Sequence, residues 1–253
     1  MQSLKLAIIQ SDIVWEDVES NLTHFADLLE TVKVDTDLIM LPEMFTTGFS
    51  MNVKALAVHS VSMGLPWMQE KAKEHCCVIA GSMMVEDSGK FFNRLFYVFP
   101  DGTHAHYDKK HLFSMGNEQE YFHAGTEPVI VEVKGWRIKP LVCYDVRFPS
   151  WCRNREDYDL LTFHASFPER RIHHWDILLQ ARAVENLCYV AAVNRVGADA
   201  FGIEHNGSSQ ILEPDGTIIK MNKGEEVVLY ATLSKNKLLE TRQKFPFLQD
   251  RDI

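Results

Sequence analysis

The sequence lacks a long hydrophobic run, an export signal and an excess of positive charge. No stretch approaches about 18 consecutive apolar residues, so no transmembrane helix is predicted. The N-terminal segment MQSLKLAIIQSD has no long h-region and no small-residue cleavage site, which predicts a cytoplasmic protein. A net charge of −9 argues against a nucleic-acid surface, which needs a basic stripe. A few local cations would still suffice to bind a small anionic substrate.

Cysteine is also scarce, and metal-binding patterns are missing. The five cysteines are odd in number and do not follow the spacing of a disulfide-rich secreted scaffold, so we expect reduced thiols. Four of them are predicted to be buried packing thiols, namely Cys76, Cys77, Cys152 and Cys188. The pairs His104-x-His106 and His173-His174 resemble ligand fragments, but no acidic residue completes a spacing such as HExxH. The sequence therefore predicts no metal and no other cofactor.

The remaining composition is that of one globular domain over residues 1–253. Hydrophobic residues make up 46% of the chain and charged residues 24%, and there are no repeats or linkers. Strands and helices alternate early and hairpins cluster later, which predicts an α/β domain with a mixed sheet content. Strands are predicted at 4–10, 37–41, 76–81 with a possible extension over 83–85, 91–99, 104–107, 129–133, 138–142, 159–165, 188–194, 208–212, 217–220 and 226–233. Helices are predicted at 18–32, 65–74 and 172–186, loops at 46–60 and 118–125, and a charged tail at 235–253 that packs on the surface or on a partner subunit.

Three strand ends carry reactive side chains. The segment IKPLVCYDVRFP reads as a short buried strand that ends at Cys143 and then reverses direction. A thiol in that position is how an α/β protein presents a nucleophile. Glu43 follows the strand 37–41, and Lys109 follows the strand 104–107. Taken singly, such residues are more often structural than functional.

Together, the three side chains could carry out acyl transfer without histidine. A thiol reacts as its thiolate, so it needs a nearby base. Glu43 could take the thiol proton and later hand it to a leaving amine. Lys109 and the backbone N–H of Tyr144 could both contact the substrate and stabilise the oxyanion of a tetrahedral intermediate.

The local motifs around these residues resemble those of the nitrilase, or carbon–nitrogen hydrolase, superfamily along nearly the whole chain. LPEMFTTGF, YDKKHLF and VCYDVRFP are similar to its glutamate, lysine and cysteine motifs, in the same order and spacing. The resemblance implies that Glu43 is the general base and acid, Lys109 the oxyanion donor and Cys143 the nucleophile. The segment EQEYFHAG matches a further family pattern, ExxYFxxG, which implies that Glu118 orients Lys109 and the substrate amide.

The resemblance also implies an architecture and a substrate class. The implied fold is a four-layer α-β-β-α sandwich whose subunits pair across a helical face, and a homodimer is the simplest such assembly. The apolar stripe of the helix 172–186 would then be core or subunit interface. The segment 173–197 most resembles the omega-amidase branch, which hydrolyses the terminal amide of 2-oxoglutaramate or 2-oxosuccinamate through a cysteine thioester.

Two kinds of alternative remain open. Ser166-Phe167-Pro168 stands where relatives tend to have Asn-Trp-Pro, and this departure leaves the exact substrate undecided. The competing activities are N-carbamoyl amide hydrolysis and nitrile hydrolysis. A non-catalytic interaction protein on the same fold is the rival outside enzymes, and the intact motifs weigh against it.

Several neighbouring residues have two interpretations. Arg147 could bind the far carboxylate of a substrate, or it could brace the turn through a salt bridge with Asp145. Phe167 could contact the substrate, although filling the core is favoured. Lys110 is predicted to point to the opposite face from Lys109 and to be solvated. The pair Asn194-Arg195 is expected to support a loop.

Overall fold

Two stacked β-sheets form the centre of the molecule, in a computed structural model that describes residues 3–252. The strands are β1 (Ser3–Gln10), β2 (Leu38–Met40), β3 (Val78–Asp87), β4 (Lys90–Val98), β5 (His104–Asp108), β6 (Val131–Val133), β7 (Trp136–Val142), β8 (Leu160–Ala165), β9 (Tyr189–Asn194), β10 (Val196–Ala198), β11 (Glu204–Leu212), β12 (Ile218–Lys223) and β13 (Val227–Ser234). The first sheet has the order β13-β1-β2-β3-β4-β5. The second has the order β10-β11-β9-β8-β7-β6, with β12 paired to β11.

The middle of each sheet is parallel, and its edges are antiparallel. Strands β1, β2 and β3 run parallel in the first sheet, and β7, β8 and β9 run parallel in the second. The central strand β8, LLTFHA, is buried at every position, as expected for a parallel strand covered on both faces. Parallel strands place their carboxyl ends at one edge of a sheet, where α/β proteins build their sites.

Helices cover the outer face of each sheet. They are α1 (Val18–Leu29), α2 (Val53–Glu74), α3 (Glu118–Tyr121), α4 (Pro149–Cys152), α5 (Ile172–Asn186) and α6 (Lys235–Lys244). Phe25 of α1 and Met68 of α2 belong to the same buried cluster as Ile79 of the first sheet. Trp175 of α5 contacts Phe163 in the second sheet, with 6.4 Å between the ring centroids.

The inner faces of the two sheets meet in one apolar core. Leu6, Met40 and Tyr97 of the first sheet belong to the same buried cluster as Ile138 and Leu160 of the second. The layers are therefore helix, sheet, sheet and helix, and the predicted four-layer sandwich is confirmed. No helix within the described residues 3–252 is both long and apolar enough to span a bilayer.

The prediction for the segment before β3 was wrong. Residues 46–60 were expected to form a loop and 65–74 a short helix, whereas α2 runs over Val53–Glu74. Gly64 and Pro66 interrupt the apolar pattern, and proline lacks the N–H that an interior helical position donates. The glycine is a packing requirement, because a Cβ at Gly64 would lie 2.3 Å from the Met83 sulfur. The local sequence of this segment favours a break in the helix, but tertiary contact with β3 keeps the segment helical.

Smaller corrections concern the short elements. The predicted loop 118–125 begins with one helical turn, α3, and the predicted loop after β9 contains the short strand β10. The charged tail starts with α6, which packs on its own chain. Leu238 is buried, and Arg242 donates to the carbonyl oxygens of Leu187 (2.9 Å) and Tyr158 (2.6 Å).

The prediction that four cysteines are buried fails at one position. Cys77, Cys152 and Cys188 are buried as expected, but Cys76 is exposed. Cys76 follows the last turn of α2 with a φ of +51°, a left-handed conformation that turns the chain toward β3. The position is therefore part of a helix-terminating turn at the surface, and only its neighbour Cys77 enters the core.

Candidate active site

A cavity of about 450 Å³ opens beside the strand ends that carry the predicted reactive side chains. Glu43 follows β2, Lys109 follows β5 and Cys143 follows β7, and all three line this cavity. Glu43 and Lys109 come from the first sheet and Cys143 from the second. Stacking of the sheets thus brings together residues that are far apart in the chain.

Lys109 lies between two carboxylates. Its Nζ is 2.9 Å from Glu43 Oε1, and it is 3.0 Å and 2.8 Å from the two carboxylate oxygens of Glu118. Glu118 also accepts a hydrogen bond from the backbone N–H of Phe113 at 2.6 Å. All three charged side chains are buried, so their position depends on these mutual contacts.

The buried contacts shift the pKa values of Lys109 and Glu118. Burial alone would lower the pKa of Lys109, but the carboxylates of Glu118 and Glu43 outweigh it and raise that pKa, so the lysine stays positive. Burial raises the pKa of Glu118 above its usual value, and Lys109 opposes this rise. Lys109 is therefore a fixed cation in a site with little water, which is suited to stabilising an oxyanion.

Asn93, which the sequence did not single out, joins the two glutamates. This residue of β4 donates its side-chain amide to Glu43 Oε1 at 2.8 Å and to Glu118 Oε1 at 3.3 Å. A buried amide between two carboxylates supplies hydrogen bonds without adding charge. An asparagine in the middle of the strand FFNRLFY carries no local signature, so only the three-dimensional structure identifies it.

Cys143 sits at a sharp turn. It starts a 3₁₀ turn over Cys143–Arg147 directly after β7, and its φ is +43°. Non-glycine residues rarely adopt this left-handed conformation, and such strain clusters at functional sites. The turn lifts the sulfur out of the sheet and into the cavity. The backbone turn thus places Cys143, the predicted nucleophile, at the cavity.

The thiol of Cys143 holds its proton in the resting site. Burial raises the pKa of Cys143 well above its usual value, and the Glu43 carboxylate raises it further by charge and by a hydrogen bond. Lys109 and the N–H of Ser166 act in the opposite direction. A neutral thiol beside a carboxylate has the arrangement in which a general base can activate a nucleophile.

The second carboxylate oxygen of Glu43, Oε2, accepts a hydrogen bond from the second sheet. The backbone N–H of Ser166, just after β8, donates to Glu43 Oε2 at 2.9 Å. Asn194, at the end of β9, fixes the next residue, since its side chain accepts from Phe167 N at 2.7 Å and donates to Phe167 O at 3.0 Å. The predicted loop-supporting role of Asn194 agrees with these contacts. The segment around Ser166 thereby positions the carboxylate.

A buried aspartate ties the lysine segment to the cysteine turn. Asp145 accepts hydrogen bonds from Tyr107 Oη (2.8 Å), Val142 N (3.0 Å) and His111 N (3.0 Å). His111 Nδ1 is also 2.8 Å from Asp145 Oδ1. Tyr107 and His111 flank Lys109 in the sequence, so this one side chain connects both strand ends.

The glycine of the EQEYFHAG segment, Gly125, is required because the backbone there lies very close to another part of the chain. Its N–H donates to Lys109 O at 2.9 Å, and a Cβ at this position would lie 2.1 Å from the carbonyl oxygen of Asp108. Only glycine allows the chain after α3 to approach this closely.

Arg147, Tyr144 and Phe167 all line the cavity. The predicted alternative in which Arg147 pairs with Asp145 is wrong, because Asp145 is occupied by the donors described above. Arg147 instead donates to His174 Nδ1 at 3.0 Å and lies over the Phe167 ring, 5.6 Å from its centroid. Phe167 is buried against Trp175, with 5.1 Å between the ring centroids, in agreement with the favoured core role, and it also lines the cavity.

Two further basic residues are engaged by the protein itself. Lys110 is half-buried, with its Nζ 5.3 Å from the centre of a Trp151 ring, so the prediction of a solvated side chain was wrong. Arg195 is buried and its Nη2 lies 2.6 Å from Asp12 Oδ1, in agreement with a loop-supporting role. Within residues 3–252, no group of three or more His, Cys, Asp or Glu side chains is arranged to hold a metal ion.

Comparison with known proteins relates this geometry to a family. A family model described as carbon-nitrogen hydrolase matches residues 5–243. The chain is 44% identical over 253 residues to omega-amidase YafV of Escherichia coli (strain K12), covering 100% of this chain and 98% of that protein. It is 31% identical over 250 residues to 2-oxoglutaramate amidase of Bacillus subtilis (strain 168), covering 97% and 96%.

A solved structure matches as well. It is XC1258 from Xanthomonas campestris, described as a CN-hydrolase superfamily protein with an arsenic adduct in its active site. The TM-score is 0.97 at 39% identity, with 100% of this chain and 98% of that chain covered.

Proposed function

The chain belongs to the carbon–nitrogen hydrolase family, and from that premise we propose that it hydrolyses the terminal amide of a small 2-oxo dicarboxylic acid monoamide. The products are the dicarboxylic acid and ammonia. The observation that carries the proposal is the meeting of Cys143, Glu43 and Lys109 in one cavity, with Glu118 behind the lysine. Full-length identity to an omega-amidase and to a 2-oxoglutaramate amidase supports the choice of substrate.

The reaction starts with proton transfer from the Cys143 thiol to Glu43. The sulfur then attacks the amide carbon, and the carbonyl π electrons move to oxygen to give a tetrahedral oxyanion. Lys109 Nζ and the backbone N–H of Tyr144 stabilise this oxyanion. Because Glu118 and Glu43 hold Lys109 in place before substrate arrives, little reorganisation is needed as the charge develops.

The second half of the reaction uses Glu43 again. Its carboxylic acid gives the proton to the leaving nitrogen, the C–N bond breaks, and ammonia leaves a thioester on Cys143. A water molecule then loses a proton to Glu43 and attacks the thioester carbon. Collapse of the second tetrahedral intermediate breaks the C–S bond, and the sulfur regains its proton from Glu43. Atoms and charge balance without an external oxidant or reductant.

The distal carboxylate of the substrate is assigned to Arg147. This guanidinium lines the cavity beside Tyr144 and Phe167, and no carboxylate within residues 3–252 pairs with it. Arginine binds carboxylates through two parallel N–H···O bonds, which also fixes their orientation.

A substrate panel tests the proposal. Ammonia release is measured from 2-oxoglutaramate, an N-carbamoyl amino acid and a nitrile, and brief incubation is followed by mass analysis of Cys143. We expect turnover of 2-oxoglutaramate and a transient acyl adduct on Cys143. Cys143→Ala should abolish both while Cys152→Ala leaves the adduct in place. Turnover of the carbamoyl compound or the nitrile alone would contradict the substrate assignment.

The assembly and the compartment are part of the same proposal. We assign a homodimer that pairs across a helical face, since closed two-fold pairs are the commonest assemblies. We also assign a cytoplasmic location, because the nucleophile is a free thiol and the chain carries four further unpaired cysteines.

A further inference from the structure

The cavity contains more positive charge than its own carboxylates neutralise. Lys109 is paired with Glu43 and Glu118, and Arg195 is paired with Asp12. Arg147, Arg170 and Arg171 also line the cavity, and no carboxylate within residues 3–252 lies at ion-pair distance from any of them. The cavity therefore has three guanidinium groups without an acidic partner, of which Arg170 is exposed while Arg147 and Arg171 are partly buried.

Arg171 is held in place by aromatic rings rather than by an acid. Its guanidinium carbon lies 5.0 Å from the centre of the Phe113 ring and 6.0 Å from the centre of the Phe167 ring. Both phenylalanines line the cavity, and Phe113 also fixes Glu118 through its backbone N–H. Stacking on these rings orients the guanidinium without using its hydrogen-bond donors. Its N–H groups therefore remain available to a ligand.

The charge of Arg171 is locally unfavourable. Burial and the neighbouring cations Arg170 and Arg147 lower the pKa of Arg171. The residue is also the N-cap of α5, where the helix dipole disfavours positive charge and a side-chain acceptor is preferred. The N-cap makes no side-chain capping bond. A positively charged N-cap residue without a capping bond is locally unfavourable, and such a departure without a visible compensating contact points to a functional role. A bound anion would relieve each of these unfavourable contacts.

We propose that Arg171, together with Arg147, forms the subsite that binds the distal carboxylate of the substrate, and that Arg171 thereby determines the preference for amides that carry an acid group. The two guanidinium groups share contact with the Phe167 ring, so a carboxylate placed beside that ring can accept from both. The assignment rests on the proposed function, because it concerns the far end of the same substrate. Arg171 makes no contact with the reacting amide and is a specificity residue.

The test compares substrates that differ only in the distal charge. Values of kcat and KM are measured for glutaramate, which ends in a carboxylate, and for pentanamide, which ends in a methyl group. Arg171→Met keeps the apolar stem and removes the charge. We expect kcat/KM for glutaramate to fall about 10- to 100-fold, mostly through KM, as for the loss of a charged hydrogen-bond pair. The value for pentanamide should stay unchanged. Arg171→Lys should give an intermediate loss.

A matched control and a binding measurement complete the test. Arg155→Met removes an exposed arginine outside the cavity and should leave kcat/KM unchanged for both substrates. Calorimetry of 2-oxoglutarate binding to the resting enzyme should show a weaker affinity in Arg171→Met than in the wild type. Equal losses for glutaramate and pentanamide, or unchanged dicarboxylate binding, would overturn the role of Arg171. If wild-type enzyme does not hydrolyse 2-oxoglutaramate, the proposed function fails, and the calorimetric comparison still decides the role of Arg171.

Discussion

In the proposed reaction, Glu43 has opposite effects on the Cys143 thiol before and after substrate binds. In the resting site its carboxylate raises the pKa of Cys143 and keeps the thiol neutral. During the reaction the same carboxylate must take the proton that it stabilises. The two roles can be separated. The first concerns the ionisation equilibrium of the thiol, and the second concerns the transfer of its proton during the reaction.

Glu43→Gln should separate these two roles. Turnover is expected to fall by about 10²- to 10⁴-fold, since the general base is lost. The thiol should nevertheless ionise at lower pH than in the wild type. The negative charge of Glu43, which raises the pKa of Cys143, is removed, while Lys109 remains paired with Glu118. The rate of iodoacetamide alkylation of Cys143 as a function of pH, measured beside the hydrolysis rate, gives both quantities.

Glu120→Gln is the control, since Glu120 is exposed on the same short helix as Glu118. It should leave the alkylation profile and the turnover unchanged. An alkylation profile of Glu43→Gln that stays in place or moves to higher pH would show that Glu43 does not act on the thiol.

At this scale, sequence motifs identify the side chains that define the chemistry and miss those that support it. Glu43, Lys109, Glu118 and Cys143 stand in recognisable motifs, and the structure brings all four together. Their roles in the reaction remain predictions. Asn93 and Arg171 were not found, because a strand asparagine and a surface-like Glu-Arg-Arg run have no local signature. Such roles depend on distant neighbours.

Two elements with little regular structure form the site, namely the turn over Cys143–Arg147 and the segment from Tyr107 to His111. Asp145 belongs to the turn, and it accepts hydrogen bonds from Tyr107 and His111 of that segment and from Val142 at the end of β7. The turn is strained at Cys143, so its conformation has to be imposed by such contacts. Asp145 is therefore expected to act as a positioning residue for both Cys143 and Lys109.

Asp145→Asn should weaken this connection. The amide places an NH₂ group against N–H donors, so the free energy of unfolding should fall by about 1–3 kcal/mol. In protein that is still fully folded, kcat should fall while KM changes little, because the reacting groups lose alignment but the cavity remains. Urea unfolding and steady-state kinetics on one preparation measure both effects.

Asp27→Asn, an exposed change on α1, serves as the matched control and should behave as the wild type. A variant Asp145→Asn that loses stability but keeps its kcat would limit Asp145 to a structural role.

Element prediction succeeds where local pattern and tertiary packing agree. Helix α5 has the predicted bounds, and nearly all strands lie close to their predicted positions. Helix α2 was predicted at less than half its length, because Gly64 and Pro66 weaken the local signal and packing on β3 compensates for it. Short elements such as β10 are defined by their partner strand, which a linear pattern does not include.

At the scale of the whole molecule, part of the outer face of α5 stays exposed in the described residues 3–252. Ile177 and Val184 are each half-exposed and lie seven residues apart, on one side of the helix. The opposite side, with Trp175, Leu179 and Ala183, is core. The apolar stripe, which the sequence predicted to be core or subunit interface, thus contains both buried and exposed positions. We expect the exposed side to form the subunit contact.

Charge placed on this side should dissociate the proposed dimer. The wild type is expected to sediment as a dimer, and the double variant Ile177→Lys/Val184→Lys as a monomer, because a buried unpaired ammonium is costly. Analytical ultracentrifugation distinguishes the two. Val58→Lys, which changes an exposed valine on α2, is the control and should remain dimeric. A double variant that stays dimeric would place the interface elsewhere.

The origin of the site in two sheets has a consequence for refolding. Glu43 receives one hydrogen bond from Ser166, 123 positions away, and another from Lys109, 66 positions away. Such distant contacts close large loops and form slowly. Each sheet can acquire its strands before the two are stacked, and Glu43 and Lys109 both belong to the first sheet. The Cys143 thiol and the N–H of Ser166 come from the second sheet, so they reach Glu43 only afterwards. Enzymatic activity therefore reports the last tertiary step of folding, and it should recover later than the β-sheet signal in circular dichroism.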